Sequence, residues 1–437
     1  MKINALSESG PLHVNPLASP SSDFYRSVDE SRILDLLCIA GWAELYHNAP
    51  QAARDAATSA LERWIAAGLP FRKGTAASRA FDPAEVINFA KARGIAGEDE
   101  FWEHASVATA RSLIEDLRNG SWPRRFNVRL ERHINLSHYD AGARVRIHLP
   151  LPLEDAGSGE SASTYDLRVV PDVHVTPDAE VDTRIEPGRM VANVKVPQEK
   201  TVLIGADIAF SCHPERSLCP RSGYRGTATT QDLELYLRPR EELIEITAPV
   251  AELAKKLGVS ARDPMLAMQN IWNYMFEHMT LGVVHYDALG EHPLDSVIET
   301  GLFDCRLGAA LIVALCRTCG IPARVRSGYA LYAVPYYHYW AEVWTEDNGW
   351  LPFDLICWDL SLRGRDATWR DTFFGKLDAR MSTEMLPRVF TGFPSVQFPR
   401  AWHVLSRPID NGAAFGLFSV ETGALVYEDR FSFKVNA

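Results

Sequence analysis

The chain has 437 residues, 46% hydrophobic and 23% charged, with a formal net charge of -11; that length exceeds what one hydrophobic core serves, so several domains are expected. The acidity argues against nucleic-acid and anionic-membrane partners, which need clustered Lys and Arg, and no run of about 18 apolar residues is present to span a bilayer. The N-terminal stretch MKINALSESGPLHVNPLASP is polar and Pro-rich where a secretion signal would be apolar. Seven cysteines spread over this length do not resemble a secreted disulfide framework, so reduced thiols and a cytoplasmic location are expected.

Residues 1–122 read as a helical N-terminal domain. Leu36, Leu37 and Ala40, then Leu61, Trp64 and Ile65, then Leu113, Ile114 and Leu117 recur at helical spacing, with a helix start at Asp82, Pro83 and Glu85 and stops at Gly94 and Gly120. Around SWPRRFNV the apolar period changes from about 3.6 to 2. Val145, Ile147 and Leu149 then alternate with Arg144, Arg146 and His148, and further strands are expected at 167–170, 190–196 and 202–210, separated by EDAGSGESAS and by the turn Pro187-Gly188. Residues 123–240 thus read as a β-sandwich-like domain.

Helical patterns return in EELIEITAPVAELAKKLG and PMLAMQNIWNYMFEHM and continue into LFDCRLGAALIVALCRTCGIPARV, before the alternating stretches HYWAEVW and WLPFDLICW. Helices followed by antiparallel strands predict an α+β domain over 241–395. Residues 396–437 read as a C-terminal β extension of two strands, which either caps that domain or joins the β-region.

Chemistry centres on Cys305. Leu307, Leu311, Ala314 and Leu315 share one face of a helix stopped by Gly320 and Pro322, which puts Cys305 in its first turn. Unpaired N–H groups and the positive end of the dipole favour a thiolate there, with Asp304 partly opposing; the alternative is that Cys305 is a small buried hydrophobe. Cys316 and Cys319 lie at the helix's other end, where a thiolate is disfavoured, and Cys212 and Cys219 are too loosely spaced for a zinc ribbon, so all four read as packing. No metal is expected, and no acidic loop of the calcium-binding kind is present.

A nucleophilic thiol needs a base and a third group that fixes the base's tautomer. Downstream lie His338 in YYHYWAEVW and Asp354 in WLPFDL. On a strand, His338 shares a face with Trp340 and Glu342, while Ala341 and Val343 point the other way. A lone His in an aromatic strand is ordinarily structural; the order Cys, His, Asp is what gives this one a candidate role.

Four motifs in register carry a family resemblance: Asp304-Cys305 opening a helix, GIPARVRSGY at 320–329, HYWAEVW at 338–344 and GWLPFDL at 349–355. Their order and spacing resemble those of the transglutaminase-like superfamily, of the bacterial cysteine peptidase or amidase type, and the stretch upstream of Cys305 is similar to the helical lead-in of bacterial members. The resemblance implies a papain-like catalytic fold with Cys305 as nucleophile, His338 as general base and acid, and Asp354 as the group that orients His338. Phe303, Tyr339 and Leu355-Ile356 depart from the family's usual Gly, Ala and Pro-Thr.

The activity so implied is acyl transfer through a thioester, most readily hydrolysis of an amide or isopeptide bond; transfer to an amine is one alternative and a non-catalytic scaffold another. The backbone N–H of Cys305 is an expected oxyanion donor. Tyr286 is preferred as a side-chain donor over Trp272, whose helical apolar setting reads as core. Tyr329, Tyr332, Tyr336, Tyr337 and Trp340 crowd the proposed base and serve either a substrate group or ordinary packing. No cofactor is expected, and the implied partner is an amide-containing small molecule or peptide, not nucleic acid or membrane.

Overall fold

The computed structural model describes residues 28–74, 78–95, 124–137, 139–151, 165–166, 172–175, 180–186, 189–212, 233–241, 243–282, 284, 289–330, 336–356, 370, 373–375, 380–385, 405–409, 414–420 and 426–436. Near the N-terminus stand strand β1 (Val28–Asp29), helices α1 (Glu30–Gly41), α2 (Ala43–Asn48) and α3 (Pro50–Ala66), strands β2 (Arg72–Lys73) and β3 (Arg79–Phe81), and helix α4 (Pro83–Ile95). Pro50 at the start of α3 gives up only an N–H that a first turn leaves unbonded anyway. Ala53, Ala57 and Ala60 bury a small-residue stripe that lets α1 pack closely, and Leu61 and Trp64 continue it.

This region is not all-α. β1, β3 and β2 form a three-stranded antiparallel sheet, because the segment between α3 and α4 folds back on the start of α1, where Arg79 is held by Glu30 and Glu62. The helix expected around Leu113, Ile114 and Leu117 lies outside the described residues.

The β-region runs through β4 (Arg124–Asn135), β5 (Arg144–Pro150), β6 (Tyr165–Asp166), β7 (Asp172–Val175), β8 (Val181–Glu186), β9 (Arg189–Lys195) and β10 (Thr201–Cys212). β4 and β10 pair antiparallel along their whole length. Phe126, Val128 and Leu130 are buried on one face of β4, as are Ile204, Ala206 and Ile208 on β10, while the opposed residues Arg129 and Asp207 meet on the exposed face. β5, β9 and β8 form a second antiparallel sheet. The strand expected at 167–170 lies outside the described residues.

The third region opens with a hairpin, β11 (Arg240–Glu241) and β12 (Ile244–Glu245). Helix α5 (Ala248–Lys256) begins only after it, a correction to the helix expected from Glu241 onward. The β-branched Ile244, Ile246 and Thr247 favour extended backbone. The Thr247 hydroxyl then accepts the Val250 N–H, and Pro249 occupies the first turn, so the helix has its start there. α6 (Pro264–His278), β13 (Thr280–Leu281), α7 (Pro293–Thr300), β14 (Leu302–Phe303) and α8 (Cys305–Thr318) follow.

The remaining strands of this region are β15 (Ala323–Ala330), β16 (Tyr336–Thr345), β17 (Gly349–Phe353) and β18 (Arg380–Met385), arranged antiparallel in the order β17-β16-β15-β18. α8 is buried along its length from Arg306 to Arg317. Tyr339, Ala341 and Val343 of β16 join Leu311, Leu315 and the aromatic residues Trp272 and Phe276 of α6 in one core.

Beyond it come β19 (Leu405–Ile409), β20 (Ala414–Val420) and β21 (Val426–Asn436), three strands where two were expected. β21 pairs antiparallel with β4 from Val426 opposite Asn135 to Asn436 opposite Arg125. The chain therefore leaves the β-region at β10, builds the helices and sheet around α8, and returns to extend the sheet it left. No helix among the described residues is long and apolar enough to cross a membrane.

Candidate active site

Cys305 is positioned by a short relay of backbone. Gly301 ends α7 in the left-handed conformation, at φ 67°, which a glycine adopts without strain. The chain then runs through β14, which pairs in parallel with β13, and delivers Asp304 as the N-cap of α8. The Asp304 carboxylate accepts the N–H groups of Arg306 at 3.0 Å and Leu307 at 2.8 Å, so Cys305 is the first helical residue. Cys305 is half-buried, and its sulfur accepts the backbone N–H of Tyr339, the residue after His338.

His338 stands on β16 opposite Gly328 of β15, with Trp340 opposite Arg326 and Glu342 opposite Arg324. Its ring lies 6.5 Å from that of Trp340, nearly parallel to it. Asp354 follows β17 directly, and its Oδ1 lies 2.7 Å from His338 Nε2. The same oxygen accepts the Ile356 N–H at 2.9 Å. Oδ2 accepts Nε and Nη2 of Arg380, at 3.0 and 2.7 Å. His338, Asp354 and Arg380 are each about 1% exposed. Nε2 is thus the ring nitrogen engaged with Asp354.

Burial pushes the Asp354 carboxyl up, but His338, Arg380 and the Ile356 N–H outweigh it and hold the group well below the ordinary carboxylate range. Cys305 goes the other way. Burial pushes its thiol up, Asp304 and Asp354 add to that, and the Tyr339 N–H opposes it only partly. This runs against the expectation of a thiol lowered by the helix N-terminus: burial is the largest influence on it, and it acts upward.

On the face of the sheet that carries His338, Glu342 accepts Nε of Arg324 at 2.7 Å and Nε of Arg326 at 3.0 Å. The Arg324 guanidinium lies 4.0 Å over the Trp350 ring. Arg324 and Glu342 stand opposite each other in the β15–β16 register, so this group fixes the ladder that carries His338.

Of the other residues singled out by sequence, Trp340 is buried beside His338. Tyr329 and Tyr337 oppose each other across the β15–β16 ladder, their side chains outside the described residues, as are Tyr286 and Tyr332 altogether. Trp272 is core: it is fully buried, and its Nε1 donates to the Arg370 carbonyl at 3.2 Å. Cys316 packs against Met268, and Cys316 and Cys319 are free thiols. Among the described residues no cluster of His, Cys, Asp and Glu could hold a metal ion.

Sequence reasoning misses Arg380, whose stretch RMSTEM carries no motif and whose partner is 26 residues away. It also misses that Asp304 acts as a cap, for which a signal is present: an Asp immediately before an apolar helical run.

The sequence model of the transglutaminase-like superfamily matches residues 251–355. No curated protein matches the chain. Among solved structures, a protein from Cytophaga hutchinsonii described as a candidate cysteine protease is 18% identical with a TM-score of 0.38, covering 72% of this chain and 98% of that one. The periplasmic domain of TgpA from Pseudomonas aeruginosa, bound to ethylmercury, is 17% identical with a TM-score of 0.29, covering 60% of this chain and 97% of that one. Cys305, His338 and Asp354 all fall within the segment that matches the transglutaminase-like superfamily.

Proposed function

We propose that this protein is a cysteine-dependent acyl-transfer enzyme in which Cys305 is the nucleophile, His338 the general base and acid, and Asp354 the group that orients His338. The observation that carries the reading is the 2.7 Å bond from His338 Nε2 to a buried Asp354, one residue from the backbone N–H that meets the Cys305 sulfur. In fold terms, the reading assigns the segment around α8 to a papain-like core and the two antiparallel sheets of the β-region to a β-sandwich-like domain.

The chemistry follows from the charges. The Cys305 thiol gives its proton to His338 Nδ1 as sulfur bonds to an amide carbonyl carbon, and the carbonyl electron pair moves onto oxygen. In this reading the backbone N–H of Cys305, in the first turn of α8, stabilises the oxyanion. When the carbon–nitrogen bond breaks, His338 returns the proton to the leaving amine and a thioester remains. Water, deprotonated by His338, releases a carboxylic acid; an amine entering instead gives a new amide. Hydrolysis of an amide or isopeptide bond, in a small molecule or peptide, is the preferred outcome because water is the abundant acceptor. The intact set of proton-transfer groups favours this over a scaffold.

Iodoacetamide modification of Cys305, followed by mass spectrometry across pH 5 to 9 in wild type, Cys305→Ala and His338→Ala, tests the reading. Selective labelling of Cys305 that falls by about 10²–10⁴-fold in His338→Ala supports it. Uniform slow labelling of several cysteines, indifferent to His338, sinks it. With a substrate amide in hand, product formation that rises with amine concentration assigns transfer, and a flat response assigns hydrolysis.

A further inference from the structure

We propose that Arg380 is a positioning residue that acts through Asp354 to hold the His338 imidazole in the tautomer and orientation that serve Cys305. The inference rests on the catalytic reading of Cys305, His338 and Asp354, and it extends the working site beyond the segment 251–355 matched by the family.

The two oxygens of Asp354 have separate duties. Oδ1 meets His338 Nε2 and the Ile356 N–H. Oδ2 is taken by two N–H groups of one guanidinium. A planar fork closing on one oxygen fixes rotation of the carboxylate, which a lysine's single ammonium point charge does not do. Arg380 opens β18, at one edge of the four-stranded sheet, whereas Asp354 follows β17 at the other. The pair therefore ties the ends of both edge strands beneath His338.

Charge matters as much as aim. Asp354 is almost fully buried, and a buried carboxylate without compensating cations takes up a proton. A protonated Asp354 would donate to His338 Nε2, which would put the imidazole's own proton on Nδ1, where it could no longer accept the proton of Cys305. With Asp354 ionised, Nε2–H is the donor and Nδ1 keeps its lone pair. Arg380 secures the second arrangement.

The test compares Cys305 alkylation by iodoacetamide from pH 5 to 9 in the full-length wild type, Arg380→Met and Arg380→Lys, with Cys305→Ala and His338→Ala as controls. In Arg380→Met the acid limb of the profile moves up by about one pH unit or more, the effect of removing a cation that neighbours a carboxylate. Arg380→Lys restores most of the acid limb, since it keeps the cation, while its rate stays below wild type because the fork is lost. Arg380→Met with a wild-type pH profile and only a uniform loss of rate or stability overturns the proposal and leaves Arg380 a structural tie. If Arg380→Met does not fold, histidine ¹⁵N spectra of the wild type decide: a protonated Nε2 with Nδ1 bare at neutral pH upholds it, and the opposite tautomer overturns it. A His338→Ala profile identical to wild type would instead overturn the catalytic reading on which the inference stands.

Discussion

Phe303 lies directly against Gly308, one turn into α8 from Cys305: a Cβ at position 308 would come within 2.5 Å of the Phe303 ring and 2.6 Å of Leu355 Cδ1. Phe303 and Leu355 stand at two of the positions where this chain departs from the usual family residues, and they meet over the same glycine. The two bulky side chains fill one space together, and the bare backbone at 308 makes room for both.

Gly308→Ala should therefore destabilise the protein despite the better helix propensity of Ala. The propensity gain is about 1 kcal/mol. Overpacking against a fully buried Phe303 costs about 1–3 kcal/mol. A lowered urea midpoint with an unchanged slope is the expected outcome, and a raised midpoint would show that the core gives way freely here.

Glu342 is the counter-charge shared by Arg324 and Arg326, both of which are buried. Glu342→Gln leaves two guanidinium groups facing one neutral amide in low dielectric. Breaking a buried ion group in this way costs about 3–5 kcal/mol. The exposed pair Arg129–Asp207 is the control: Asp207→Asn should cost less than about 1 kcal/mol. Chemical denaturation of both variants measures the contrast, and equal losses would mean that Glu342 is not what balances the two arginines.

The legibility of this chain follows its local chemistry. The helix opening at Cys305 and the face-sharing of His338, Trp340 and Glu342 are readable because helical and strand periods are strictly local. The hairpin at 240–245 reads as helix because Glu, Leu and Ile at mixed spacing satisfy either period over so short a run, and only Thr247 and Pro249 mark where the helix begins. Arg380 is invisible for another reason: its bond to Asp354 joins two sheet edges, a relationship set by strand order, which sequence spacing does not encode. The direction of the Cys305 shift escapes a sequence reading because its largest cause is burial, a tertiary quantity.

The pH dependence of stability should carry the mark of Asp354. Its folded-state pKa is depressed by His338, Arg380 and the Ile356 N–H. A depressed carboxyl stabilises the fold above its unfolded value of about 3.9 and loses that contribution as pH falls toward the folded value. Asp354→Asn removes the group that titrates. Between about pH 5 and pH 3, stability from urea denaturation should fall more steeply in wild type than in Asp354→Asn; parallel curves would show that Asp354 contributes no linked protonation in this window.

The C-terminal strands make the last prediction. β21 pairs with β4 over the whole run from Asn135 to Arg125, and β20 and β19 extend the same sheet outward. Deleting residues 405–437 would strip one side of β4 of its partner and expose a long row of unpaired N–H and C=O groups, the kind of edge that recruits another chain. The other side of β4 would still be held by β10, so the β-region should fold but associate through the new edge. Light scattering of the deleted protein should report concentration-dependent association, while Cys305 alkylation, which depends on a different sheet, should keep its wild-type pH profile in the fraction that remains monomeric. A deleted protein that stays monomeric at all concentrations would mean that β4 tolerates an open edge and that β21 contributes little beyond its own burial.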